Sequence, residues 1–244
     1  MTRVMGIVNV TPDSFSDGGQ FFRPEEAIRR ARNLIADGAD IIDLGGESTR
    51  PGATPLGWEE EWSRLEPVLE GLVDLEKLGK VPLVSISVDT YHPETAARAI
   101  VAGAKIINCV SGEAVPEMLK LLDGNDVELV VPYRLGESNN RTIEQSNNSP
   151  RLYLDPMIGF GTTREEDLAL IRSIPELAKC GRVLVGASRK RIVKKLTGEK
   201  LTGKNLGGNL GIAIWAAMNG ASVVRVHDVK ETVQALKVVA ALDE

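Results

Sequence analysis

Short apolar runs alternate along the chain with amphipathic stretches. Runs at Val4–Asn9, Asp40–Leu44, Leu83–Val88, Lys105–Asn108, Glu128–Val131, Leu152–Leu154, Val183–Gly186 and Ser222–Val226 predict eight strands. Most of them can be buried on both faces, as parallel strands are. Between them, apolar positions at helical spacing predict helices over Pro24–Ala36, Trp58–Lys77, Pro93–Val101, Val115–Leu122, Arg164–Ala178, Leu206–Asn219 and Val229–Leu242. Three fragments resemble one another: Gly38-Ala-Asp-Ile-Ile-Asp, Gly103-Ala-Lys-Ile-Ile-Asn and Gly220-Ala-Ser-Val-Val-Arg. In each, glycine caps a helix in the left-handed conformation and a β-branched or branched pair enters a strand.

Helix, glycine, strand at intervals is the pattern of βα units. Eight such strands in 244 residues predict an α/β fold, a (β/α)8 TIM barrel over 1–244 as a single domain, better than a doubly wound sheet. Between strands five and six the segment Pro132–Arg151 has no apolar helical stripe and is rich in Asn and Ser. The expectation is a barrel lacking the regular helix there, with strands five and six less covered than their neighbours, because a polar loop supplies little apolar area.

An apolar content of 43% is ample for one core, and no linker-like run divides the chain. No apolar run approaches the roughly 18 residues of a membrane span. With no leader pattern at the start, the expected location is the cytoplasm. A net charge of −5 excludes a general nucleic-acid surface, although Arg189, Lys190, Arg191, Lys194 and Lys195 form a local basic cluster. Cys109 and Cys180 have no metal spacing and read as thiols. Trp58, Trp62 and Trp215 fall at helical core spacings, and His92, ahead of Pro93, reads as a cap or surface residue.

The chemistry lies at strand ends. The first strand breaks at Asn9 into Thr11, Asp13, Ser14, Ser16 and Asp17 around Pro12 and Gly18-Gly19, polar groups that no core could satisfy. The second strand leads to Glu47-Ser48-Thr49-Arg50-Pro51-Gly52, and the third, fourth and sixth end at Asp89, Asn108 and Asp155. The seventh leads to Ser188-Arg189-Lys190, and the eighth supplies Arg225 and His227. Polar carboxyl ends on most strands are the geometry of a catalytic mouth. Asp89, Asn108, Asp155 and Lys190 could converge on one planar, nitrogen-rich ligand, although each Asp alone is as well explained as a helix N-cap. Arg225 and His227, two apart, point to one side of their strand. With Asn9, Ser48 and Thr49 they could hold a diphosphate leaving group through their charge.

The segments MGIVNVTPDSFSDGG (Met5–Gly19), GADIIDLGGESTRPGA (Gly38–Ala53), SVDT (Ser87–Thr90), Ile107-Asn108, DPxIGFG (Asp155–Gly161), GASRK (Gly186–Lys190) and RVHDV (Arg225–Val229) occur here in one order. Through them nearly the whole chain resembles the dihydropteroate synthase family, pterin-binding barrels of folate biosynthesis. The resemblance implies a transferase that condenses 6-hydroxymethyl-7,8-dihydropterin diphosphate with p-aminobenzoate and releases diphosphate. It implies that Asp89, Asn108, Asp155, Phe160 and Lys190 bind the pterin, with Arg225 stacking on it. It places Asn9, Ser48, Thr49, Arg225 and His227 on the diphosphate side, with Mg²⁺ at Asn9, and Phe15, Ser16, Thr49, Arg50, Pro51 and Ser188 on the aminobenzoate side. Asn9, Asp17, Arg50, Lys190, Arg225 and His227 are the implied catalytic set. A homodimer through late helices is implied, with no nucleic-acid or membrane partner.

Departures from the family pattern gather in one sector. Pro132-Tyr133 follow strand five in place of Met-His, Cys109 follows Asn108 in place of Asp, Met157 stands for Gly, and Thr162 stands for Lys. The alternatives to p-aminobenzoate condensation are a related synthase using a different arylamine, a non-catalytic pterin-binding paralogue, and a pterin methyltransferase domain. The retained diphosphate constellation argues against the last.

Overall fold

The computed structural model describes residues 1–11, 23–47, 55–82, 84–136, 140, 151–201 and 203–242. Eight parallel strands close into a barrel in sequence order, β1 pairing with both β2 and β8. In chain order the elements are β1 (Arg3–Asn9), α1 (Pro24–Ala36), β2 (Ile41–Gly45), α2 (Trp58–Lys77), β3 (Ser85–Asp89), α3 (Pro93–Val101), β4 (Ile106–Asn108), α4 (Val115–Lys120) and β5 (Glu128–Pro132). They continue with β6 (Leu152–Asp155), α5 (Arg164–Arg172), α6 (Ile174–Cys180), β7 (Arg182–Val185), α7 (Arg191–Thr197), α8 (Leu206–Met218), β8 (Ala221–Val226) and α9 (Val229–Leu242). The three repeat glycines take the expected left-handed conformation, with φ of +99° at Gly38, +112° at Gly103 and +91° at Gly220.

Two helical expectations are corrected. The stretch expected as one helix over Arg164–Ala178 is two, because Pro175 has no N–H to continue the ladder and instead starts α6. A capping box of Thr163 and Glu166 starts α5. Helix α7, not expected at all, absorbs much of the basic cluster, with Lys194 and Lys195 in its last turn, where the helix dipole favours cations.

Side chains alternate inward and outward along each strand, so the barrel interior is layered. At the amino-terminal end Arg3 donates to Ser85 (2.9 Å) and to the Tyr153 hydroxyl (3.2 Å), while Arg182 donates to Glu128 (2.6 Å) and stacks on the Tyr153 ring. Above this plug, Met5, Ile41, Ile106, Val130, Leu184 and Val223 pack with Tyr153 as a buried apolar layer. The next inward positions, toward the carboxyl ends, are polar again. Asn9, Gly45, Asp89 and Asn108 stand in register across four strands, and Asp43 stands beside Ser87.

The expectation that β5 and β6 are poorly covered is also corrected. Their outward residues Leu129, Val131, Leu152 and Leu154 are buried, in one cluster with Met118, Leu122, Val127, Tyr133 and Leu177. Residues on either side of the polar connection supply the apolar area. The expected absence of a regular helix there falls largely on 137–139 and 141–150, outside the described residues.

Candidate active site

Asp43 organises the mouth, and sequence reasoning passed over it. It is fully buried in the middle of β2, where a lone carboxylate would be prohibitive. Its Oδ1 accepts the Ser87 hydroxyl at 2.6 Å, and its Oδ2 accepts Arg225 Nε at 2.6 Å and Asn108 Nδ2 at 3.4 Å. Arg225 also donates from Nη2 to Asp89 Oδ2 at 2.7 Å. Burial opposes the Arg225 charge, but Asp43 and Asp89 outweigh it and hold the guanidinium protonated. Burial, opposed by Arg225 and reinforced by Asp43, pushes the Asp89 carboxyl up to about 7.

Asn108 turns its amide nitrogen, its donor end, toward the Asp43 carboxyl oxygen. Its Oδ1 is left buried without a partner. A buried carbonyl that accepts nothing calls for an explanation, and an incoming N–H donor is the one its position supplies. The signal for Asp43 was present in the sequence: an acid inside an otherwise apolar strand has to be paired.

Asp155 and Lys190 form a second group. Asp155 Oδ1 accepts the Met157 N–H at 2.7 Å, and burial raises its carboxyl against the pull of Lys190. Lys190 Nζ donates to the Ile158 carbonyl at 2.6 Å and lies 4.3 Å from the centre of the Phe160 ring. Burial lowers the Lys190 ammonium to about 8, partly offset by Asp155.

The third group is Ser188 and His227. The imidazole Nδ1 lies 3.1 Å from Ser188 Oγ, and the His227 N–H donates to the same oxygen at 3.3 Å. Burial, then Arg189 and Arg225, pull His227 down to about 3. The expectation that His227 brings a charge is therefore corrected, since near neutrality it offers one hydrogen bond from an uncharged ring. Arg225, expected partly on the diphosphate side, is bonded to Asp43 and Asp89.

A stability consequence follows from His227. The unfolded chain protonates it below the ordinary histidine value of 6.5, whereas the folded chain resists until about 3. Its contribution is therefore complete above pH 6.5 and is lost as pH falls toward 3. Between pH 7 and pH 5 the wild type is expected to lose about 2 kcal/mol more than His227→Asn. Urea denaturation at the two pH values checks this, and equal losses would show a freely titrating imidazole.

Of the expected site residues, Asp89, Asn108 and Arg225 are linked by hydrogen bonds through Asp43, and Asn9 stands in register with the first two across Gly45. Asp155, Phe160 and Lys190 group together, as do Ser188 and His227. Phe15, Ser16, Asp17, Ser48, Thr49, Arg50 and Pro51 lie outside the described residues. His92, at the start of α3, is half-buried, stacked on Tyr91 and 3.9 Å from Glu47. Trp62 is in the core, whereas Trp215 is 46% exposed, against expectation.

The chain is similar along nearly its whole length to known proteins. The family described as pterin binding enzyme matches in two overlapping segments, 5–149 and 134–227, which overlap within the polar connection after β5. The dihydropteroate synthase of Bacillus subtilis is 37% identical over 263 residues, covering 99% of this chain and 88% of the relative. A bifunctional folylpolyglutamate synthase/dihydropteroate synthase of Haloferax volcanii is 38% identical over 98% of this chain, which spans 30% of that longer protein. A structure of Xanthomonas albilineans dihydropteroate synthase with 4-aminobenzoic acid superposes with a TM-score of 0.85 at 38% identity, covering 99% of this chain and 93% of that one.

Proposed function

Since the chain belongs to the dihydropteroate synthase family of pterin-binding enzymes, we propose that its barrel mouth joins 6-hydroxymethyl-7,8-dihydropterin diphosphate to p-aminobenzoate, a transfer in folate biosynthesis. The observation that carries this is the buried set at the mouth. Asn108 Oδ1 is a buried acceptor without a partner, and Asp89 and Asp155, whose carboxyls burial raises, share the mouth with Lys190 and Arg225. A flat ring edged with N–H groups satisfies them.

In the reaction the ester C–O bond of the exocyclic methylene breaks and its electron pair leaves on diphosphate. The arylamine nitrogen forms the C–N bond and gives up one proton. The acids around the ring stabilise the positive charge that develops as diphosphate departs, and they need no rearrangement because Ser87, Arg225 and the Met157 N–H already hold Asp43 and Asp155 in place. His227 offers a hydrogen-bond donor to a departing phosphate oxygen.

Among the described residues no group of three His, Cys, Asp or Glu could hold a metal ion. Asn9, at the carboxyl end of β1, is the residue that would hold a Mg²⁺ brought in with the substrate diphosphate. Such an ion supplies positive charge where diphosphate accumulates negative charge.

Diphosphate release tests the reading, with pterin diphosphate and p-aminobenzoate, with other arylamines, and with no second substrate. Release that depends on p-aminobenzoate is expected. Release only with another arylamine would identify a sibling synthase, and pterin binding without release would identify a binding module.

A homodimer through α8 is part of the same proposal. Helix α8 has no charged residue, and Trp215 and Met218 on it are 46% and 70% exposed. On α9, which packs against it, Val238 and Leu242 are 60% and 82% exposed. Adjacent exposed apolar side chains on two packed helices mark an interaction surface. Trp215→Glu is expected to convert the dimer to monomer in sedimentation, and a wild type that is already monomeric would refute the assignment. No helix among the described residues is long and apolar enough to cross a membrane. Two free thiols fit a reducing cytoplasm.

A further inference from the structure

The turn between β6 and α5 holds a strained residue and an unusual number of hydrogen bonds. Met157 sits at φ +60°, in the left-handed region that a residue with a Cβ enters only at a cost. Such strain persists where the surroundings over-determine it. Here Asp167 Oδ1 accepts the Gly159 N–H at 2.7 Å and the Thr162 hydroxyl at 2.5 Å, and Thr162 Oγ1 also accepts the Gly159 N–H at 3.1 Å. Arg191 Nη2 donates to the Thr162 carbonyl. Both Thr162 and Asp167 are buried.

The turn so held wraps one side chain. The Ile158 carbonyl accepts Lys190 Nζ, the Phe160 ring lies beside that ammonium, and a Cβ on Gly159 would come within 2.9 Å of Lys190 Cδ. At 2.6 Å the Ile158–Lys190 hydrogen bond would be lost if the turn moved away by an ångström. Glycine at 157 and lysine at 162, as in the family motif, would relieve the strain and remove the hydroxyl from the clasp. This chain has done neither.

We propose that Thr162 and Asp167 are positioning residues for Lys190, their clasp holding the Met157–Gly161 turn in the shape that seats the ammonium on the Ile158 carbonyl and the Phe160 ring. The proposal rests on the pterin reading, in which Lys190 grips the ring. The charged groups facing Lys190 are Asp155 on β6, Asp89 on β3, Arg225 on β8 and Asp167 on α5.

The test uses Thr162→Val, which removes the hydroxyl, Thr162→Ser, which keeps it, and Met157→Gly combined with Thr162→Val, which removes the strain. Two quantities are read: the dissociation constant of 6-hydroxymethylpterin without turnover, and the titration of the Lys190 ammonium by NMR in the ligand-free protein. Thr162→Val is expected to weaken pterin binding about tenfold. It should also move the Lys190 midpoint from about 8 toward the ordinary lysine range. Thr162→Ser should behave as wild type, and Met157→Gly should return Thr162→Val to within about threefold of wild-type affinity. A lower melting temperature in Thr162→Val with pterin affinity and Lys190 titration unchanged would overturn the proposal, as would failure of the glycine to restore binding. A wild type that does not bind pterin would sink the functional reading, and the ligand-free titration would still decide the clasp.

Discussion

Asp43→Ala is expected to lower the unfolding free energy by about 3–5 kcal/mol, the range for removing one member of a buried ion pair. The loss is large because three groups lose their acceptor together: the Ser87 hydroxyl, Arg225 Nε and Asn108 Nδ2. Asp89 cannot replace it, being already committed to Arg225 Nη2 on its own side. Asp43→Asn keeps the volume and one acceptor, and should lie between the alanine variant and wild type. Urea denaturation at pH 7 measures all three. A loss below about 1 kcal/mol in the alanine variant would place Asp43 outside the ion pair.

The larger kinetic effect is expected at Arg225. Lysine keeps the charge but cannot donate to Asp43 and Asp89 in two directions at once, as the guanidinium fork does. Arg225→Lys is therefore expected to lower kcat/KM for pterin diphosphate by about 10²–10³, comparable with loss of one preorganised donor at a reacting centre. Binding of a pterin without diphosphate should fall less. Equal losses in both measurements would assign Arg225 to holding the ring and the fold alone.

Periodicity revealed the barrel because its signals are local. Gly38, Gly103 and Gly220 each mark a helix-to-strand junction through backbone geometry that neighbouring residues do not alter. Strand ends likewise showed Asp89, Asn108 and Asp155, since polar residues after apolar runs stand out. What escaped depends on partners far along the chain. Asp43 is paired with Arg225, 182 residues away, and its place inside a strand gave it the look of a repeat residue. The neutrality of His227 comes from burial and from arginines on other elements. Trp215 has core spacing on a helix whose apolar residues run nearly all round, so spacing could not tell which side faces out. The cover over β5 and β6 includes Met118, Leu122 and Leu177, from helical stripes that the sequence showed without showing how far they reach over these two strands.

The apolar layer across the middle of the barrel separates two polar networks. Among the described residues no hydrogen bond joins the Arg3, Glu128 and Arg182 plug below it to the Asp43 and Arg225 cluster above it. Sites that share no partners respond to mutation independently and their effects add. A change in the lower plug is therefore expected to alter stability without disturbing the hydrogen bonds of the upper cluster, and its cost should add to that of any change made above the layer.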